Sequence, residues 1–151
     1  MSTREEKALE YFANGNSYNC AQSVLGVFCE ENGLDKNVAF KIANGFGGGV
    51  RNGDVCGAVS GAVMVIGLKC GFFVEKDFAQ KGFCYRKTEE FLHEFKKENG
   101  STICRDLLGV DIRSSEDFRK PEVRELIDTV CPRMVASAVH ILEQMDFNQT
   151  N

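Results

Sequence analysis

The sequence predicts an all-α fold: a single compact domain over residues 1–151, with six or seven helices. Three observations carry this. Helix-opening and helix-closing residues punctuate the chain, Ser2, Asn19 and Asp35 among the first, Gly33, Gly71, Gly100 and Gly109 among the second. No segment alternates apolar and polar residues over a useful length, which argues against strands. The 151 residues, 43% of them apolar, suffice for one hydrophobic core, and no linker, repeat or low-complexity tract divides them.

The first helix is expected from about Thr3 to Ala13, with Ser2 and Glu5 as a capping box and Gly15 as its stop. The second runs from about Cys20 to Glu31 behind Asn19 and Gln22, a second capping box, and ends at Gly33. The third follows Asp35 and ends before Gly45. The fourth spans Val55 to Cys70. The fifth, about Glu75 to Asn99, carries a stripe of Phe78, Tyr85, Leu92 and Phe95, widened by Cys84 and Phe91. A short helix covers Ile103 to Leu108, and Ser114 to Lys120 reads as a helical turn. Pro121 opens a segment to about Val130. Pro132, a residue favoured at a first helical position, opens the last helix to about Met145, buried along Val135, Val139 and Leu142. The tail from Asn148 to Asn151 is expected to fray.

A net charge of −4 without a basic stripe disfavours nucleic acid as a partner. The longest apolar run, Val55 to Leu68, is broken by Gly57, Gly61 and Gly67 and falls short of the ~20 residues a membrane span needs. The first residues, Met-Ser-Thr-Arg-Glu-Glu-Lys, do not read as a signal peptide, so a cytoplasmic location is expected. Thiols stay reduced there, and seven cysteines then point to metal or redox chemistry.

Four of the seven fall at expected helix starts. Cys20 follows Asn19, Cys56 follows Asp54 by two residues, Cys104 follows Ser101 and Thr102, and Cys131 precedes Pro132. A helix start favours a thiolate. Cys29, Cys70 and Cys84 fall in helix bodies or last turns and read as small buried hydrophobes. Two bare thiolates ~6 Å apart at an effective dielectric of ~20 repel by about 3 kcal/mol, more than a helix terminus returns. Four that converge must therefore bind a cation or cluster, pair as disulfides, or keep their protons. No Cys-x-x-Cys occurs, so the spacing matches no zinc-finger or ferredoxin pattern, and no Cys-x-x-Cys-His attaches haem.

Gly57 and Gly61 share one face of the fourth helix, which suits close approach of another backbone near Cys56. The loop Gly45-Phe46-Gly47-Gly48-Gly49 lacks a Gly-Lys-Ser/Thr ending and follows a helix, so it reads as a tight bend and no nucleotide is expected. His93 and His140 read as surface or core-edge residues.

Asn19-Cys20-Ala21-Gln22, the loop Gly45 to Gly49, Cys56-Gly-Ala-x-x-Gly61, Cys104-Arg-Asp-Leu-Leu-Gly109 and a late Cys131 follow one another in that order. In this the chain resembles the C-GCAxxG-C-C family of redox-type proteins over nearly its whole length, from about Thr3 to Met145. The resemblance places the family's four characteristic cysteines on Cys20, Cys56, Cys104 and Cys131. It implies a small, all-helical, bacterial or archaeal protein, often encoded near transporters. The family is also similar to the non-haem part of split-Soret-type cytochromes, where an iron–sulfur centre is expected.

The expected function is a cytoplasmic redox protein whose four cysteines ligate an iron–sulfur cluster, most simply [2Fe–2S], for electron transfer. Its alternatives are a metal-free thiol/disulfide protein and a structural zinc site in a partner-binding module. No residue names a substrate or a redox partner, and no enzyme activity is assigned.

Overall fold

The computed structural model describes residues 1–12 and 17–149. The expected helix end at Ala13 and stop at Gly15 lie outside the described residues, as do Thr150 and Asn151 of the tail.

The described residues are all-helical, with eight α-helices where six or seven were expected. They are α1 (Thr3–Phe12), α2 (Cys20–Gly26), α3 (Lys36–Ala43), α4 (Gly57–Cys70), α5 (Phe78–Asn99), α6 (Cys104–Leu108), α7 (Ser115–Arg119) and α8 (Pro121–Gln144). No strand occurs among them. One isolated antiparallel bridge pairs Val55 with Ile103.

Local chemistry explains most boundaries. The Glu5 amide donates to Ser2 Oγ at 3.1 Å. At α2 the box is complete: the Gln22 amide donates to Asn19 Oδ1, and the Asn19 amide to Gln22 Oε1, both at 2.9 Å. Asp35 caps α3, Asp77 caps α5 and Ser114 caps α7. Gly33, Gly100 and Gly109 adopt the left-handed conformation that closes a helix.

α2 ends at Gly26, earlier than expected, and a short 3-10 turn at Glu30–Asn32 completes the run to Gly33. Cys29 therefore lies outside α2, buried in the turn between them. The apolar stripe of α5 is only half buried. Phe91 and Phe95 are in the core, whereas Phe78 and Tyr85 are exposed.

The larger correction concerns Pro132. α8 does not begin there; it runs unbroken from Pro121 to Gln144 with Pro132 inside. An interior proline leaves the carbonyl four residues back, here Asp128, without its usual donor, at about 3 kcal/mol or more. Tertiary packing overrides this. Val123, before the proline, packs into a small cluster with Cys104, Leu108, Ile112 and Phe118. Val135, Ala138, Val139 and Leu142, after it, lie in the main core with α2, α4 and the Phe91–Phe95 end of α5. A single rod joins the two clusters, and Val130 and Cys131 pack against both.

α4 is the centre of the main core, with Ala58, Val59, Ala62, Val65 and Ile66 all essentially inaccessible. Its tightest seam is with α2. A Cβ on Gly61 would stand 2.7 Å from the Ala21 carbonyl oxygen, and one on Gly57 would stand 3.2 Å from both the Ala21 amide nitrogen and Cys20 Cβ. The two glycines let the backbones meet where α2 and α4 begin.

Candidate functional site: four thiols around one cavity

Three short-range devices bring the cysteines together. The capping box fixes Cys20 as the first residue of α2, and the Gly57 contact seats it beside the start of α4. The antiparallel bridge at Val55 and Ile103 places Cys56 opposite Thr102 and Cys104 opposite Asp54, with both cysteines on one face of the pair. The Cys56 amide donates to the Thr102 carbonyl at 2.8 Å, and the Cys104 amide to the Asp54 carbonyl at 2.6 Å. Each chain then turns directly into a helix, α4 or α6. The fourth cysteine, Cys131, comes from the middle of α8.

Cys20, Cys56, Cys104 and Cys131 all line one cavity of about 30 Å³, closed by Gly48, Gly57, Leu107, Leu108, Phe118, Val130 and Met134. It sits on the seam between the two apolar clusters. Cys20, Cys56 and Cys104 are buried; Cys131 is half-buried. Cys29, Cys70 and Cys84 do not reach it. Cys70, on α4, instead neighbours Cys84 on α5, and its thiol donates to the Ile66 carbonyl at 3.2 Å.

At Cys20, Cys56 and Cys104 the protonated thiol is favoured, one of the outcomes open to converging cysteines. Cys56 is itself the cap residue of α4 and makes no close side-chain cap bond. Burial pushes its pKa up to about 11, against a smaller lowering by the Ala58 and Val59 amides. Burial pushes Cys104 up to about 12, with the Cys56 and Cys131 thiols adding to it and Arg51 and Arg105 opposing. Hydrogen bonding with Cys131 and then burial raise Cys20. Only Cys131, which is not at a helix start, is lowered, because Cys20 hydrogen-bonds to it; burial and Asp128 oppose this. The Cys20–Cys131 pair thus places its first negative charge on Cys131.

These shifts make the reduced, metal-free chain alkali-sensitive. Cys56 and Cys104 keep their protons in the folded state above the pH at which unfolded thiols lose theirs. The unfolded chain then binds fewer protons, so stability falls as pH rises. The expected loss is about 1.4 kcal/mol per pH unit for each thiol above an ordinary thiol pKa of ~8.5. Urea unfolding at pH 8 and pH 10 measures it, and a C56A/C104A variant should decline less steeply. Equal stability of the parent chain at the two pH values would contradict the burial of these thiols.

A cleft of about 510 Å³ lies outside the cavity and shares Cys20, Gly48, Phe118 and Cys131 with it. Arg51, Arg119 and Arg124 line it, with Asp128. Sequence reasoning missed these arginines. The signal was faint: Arg51 ends the glycine-rich stretch, where Gly48, Gly49, Val50 and Arg51 all have positive φ.

The motif order, now with its geometry, agrees with a family comparison. A family model with the description "putative redox-active protein (C_GCAxxG_C_C)" matches residues 18–145. The chain belongs to the C_GCAxxG_C_C family. No curated protein and no solved structure matches it. The matched span of the C_GCAxxG_C_C model includes all seven cysteines, the three cleft arginines and the smaller apolar cluster, together with all buried members of the larger one except Ala8. No helix among the described residues is long and apolar enough to cross a membrane.

Proposed function

We propose that this chain is an electron-transfer protein in which Cys20, Cys56, Cys104 and Cys131 ligate an iron–sulfur cluster, most simply [2Fe–2S]. One observation carries the reading. Thiols from four separate elements line a single void of about 30 Å³ that no other polar side chain lines. Its volume exceeds the ~10–15 Å³ one water requires. An all-sulfur ligand set suits iron–sulfur ligation. Among the described residues no three Cys, His, Asp or Glu side chains are placed to hold one metal ion.

A bound cluster would supply one-electron exchange and the positive charge that four thiolates need. The chain supplies the rest. Leu107, Leu108, Phe118 and Met134 keep water from the sulfurs. The Ala58 and Val59 amides favour negative charge on Cys56, the kind of sulfur contact that tunes a potential. Cys131, half-buried and open to the cleft, is the side from which a redox partner approaches. Seven cysteines, four of them cluster ligands, suit a reducing, cytoplasmic setting.

Anaerobically purified protein should be coloured, with about two irons and two acid-labile sulfides per chain. Serine at any one of the four positions should remove most of both, whereas serine at Cys29 should not. A colourless, iron-free chain whose variants behave alike rules the cluster out.

The Cys20–Cys131 pair favours a second reading, a metal-free thiol/disulfide protein. Cys131, the one thiol with a lowered pKa, would attack a substrate disulfide and release one thiolate. Cys20 would then attack the Cys131 sulfur and release the second. The pair ends oxidised and the substrate disulfide ends reduced.

A further inference from the structure

The cleft outside the four-thiol cavity has a charge and a build that neither reading requires. We infer that it is a binding site for a small polyanion, a molecule bearing two or more carboxylate or phosphate groups, seated against the Cys20–Cys131 wall. Its use as the seat of a substrate or electron donor rests on the proposed redox function; the binding itself does not.

The charge is local and opposes the chain as a whole. Three guanidinium groups, Arg51, Arg119 and Arg124, share the cleft with one carboxylate, Asp128, in a chain of net charge −4. Non-specific attraction of anions by such a chain is not expected. The arginine ion pairs among the described residues fall on Arg4, Arg105 and Arg113, so the three cleft arginines are left without a carboxylate partner.

Arg51 is also held in place at a backbone cost. Its φ is +56°, and that of Val50 is +57°. A non-glycine residue in the left-handed region costs about 1–3 kcal/mol and persists where the surroundings dictate it, commonly at functional sites. Here the turn sets the guanidinium 4.2 Å from the Phe118 ring centroid and 3.4 Å from Ser115 Oγ. Phe118 is buried and lines both the cleft and the cavity. A fixed arginine thus stands at the boundary between solvent and the sulfurs. Planar guanidinium groups suit carboxylate and phosphate oxygens. The volume, about 510 Å³, suits a small molecule and not a protein surface.

The test uses the full chain as purified anaerobically, whatever its iron content, so failure of the cluster and failure of this site are separately visible. Thermal unfolding is followed against inorganic pyrophosphate, citrate, and sodium chloride at matched ionic strength. Pyrophosphate or citrate should raise Tm in a saturable way that chloride does not reproduce. Response to both identifies a general polyanion site; response to pyrophosphate alone makes it a phosphate site, and to citrate alone a carboxylate site. In R119Q/R124Q the apparent Kd should weaken by at least about tenfold, the loss of charge-assisted hydrogen bonds, whereas K97Q on α5 should bind as the parent does. Should the double variant not fold, amide shift mapping of the parent chain decides: pyrophosphate or citrate should move Asn19, Gly48 and Ile127. No stabilisation beyond that of chloride, unchanged affinity in R119Q/R124Q, or shifts confined to another face would overturn the site.

Discussion

Gly61→Leu is expected to destabilise the chain by at least about 3 kcal/mol, the upper end of what added methylenes cost in a packed core. The new Cβ alone would stand 2.7 Å from the Ala21 carbonyl oxygen and 3.1 Å from Ala21 Cα. Both are backbone atoms, so no rotamer change relieves the contact. Nor can α2 move aside alone. Its start is tied to the end of α3, where Asn19 Nδ2 donates to the Asn44 carbonyl and Gln22 Nε2 to the Phe40 carbonyl, both at 2.9 Å. Removing a helical glycine returns about 1 kcal/mol of propensity, less than the clash takes. Gly67 is the control: it lies on the same helix with nothing within 4 Å of its notional Cβ. Gly67→Ala should therefore be neutral or slightly stabilising. Urea unfolding of both variants measures the difference. Because the seam seats Cys20 beside Cys56, G61L should also lower bound iron and sulfide in whatever fraction remains folded. Parental stability for G61L would show that α2 and α4 do not meet as described.

What the sequence made legible was the chemistry that acts over a few residues. Asn19 with Gln22, and Gly33, Gly100 and Gly109, mark helix boundaries because their hydrogen bonds and dihedral angles are satisfied locally. The small face of α4 was legible for the same reason: Gly57 and Gly61 lie one turn apart. What depends on distant packing was read less well. Pro132 favours a helix start by its own chemistry, yet α8 passes through it to join two apolar clusters. Phe78 and Tyr85 keep the period of a buried stripe but stand exposed, because the buried part of α5 is farther along, at Phe91 and Phe95.

The site divides along the same line. That four cysteines share one location was legible through motif order and through the glycines that admit a close neighbour. Their acidities were not. A helix dipole is worth about 0.3–1 kcal/mol, and burial leaves no mark in the local order of residues. Burial outweighs the dipole at Cys56 and Cys104. The cleft arginines, far apart in sequence, carry no periodic or motif signal.

Among the four thiols of the reduced, metal-free chain, Cys131 should be alkylated first, with its midpoint lowered from that of an ordinary thiol. The cause is the neighbouring Cys20, whose thiol proton serves a negatively charged Cys131. Reaction also needs access, and Cys131 is the half-buried member, opening on the cleft. Cys56 and Cys104, held near 11 and 12, should stay inert at pH 8. The sign of the coupling gives a sharper expectation. Cys20→Ala removes the hydrogen bond that favours charge on Cys131, leaving burial and Asp128, both of which raise its pKa. The Cys131 midpoint should therefore move up, and its alkylation at pH 7.5 should slow although the removed side chain leaves it no less accessible. Mass spectrometry of chains labelled across pH 6–10 gives both midpoints. A midpoint that stays put or falls in C20A would show that access alone, and not the thiol pair, sets the reactivity of Cys131.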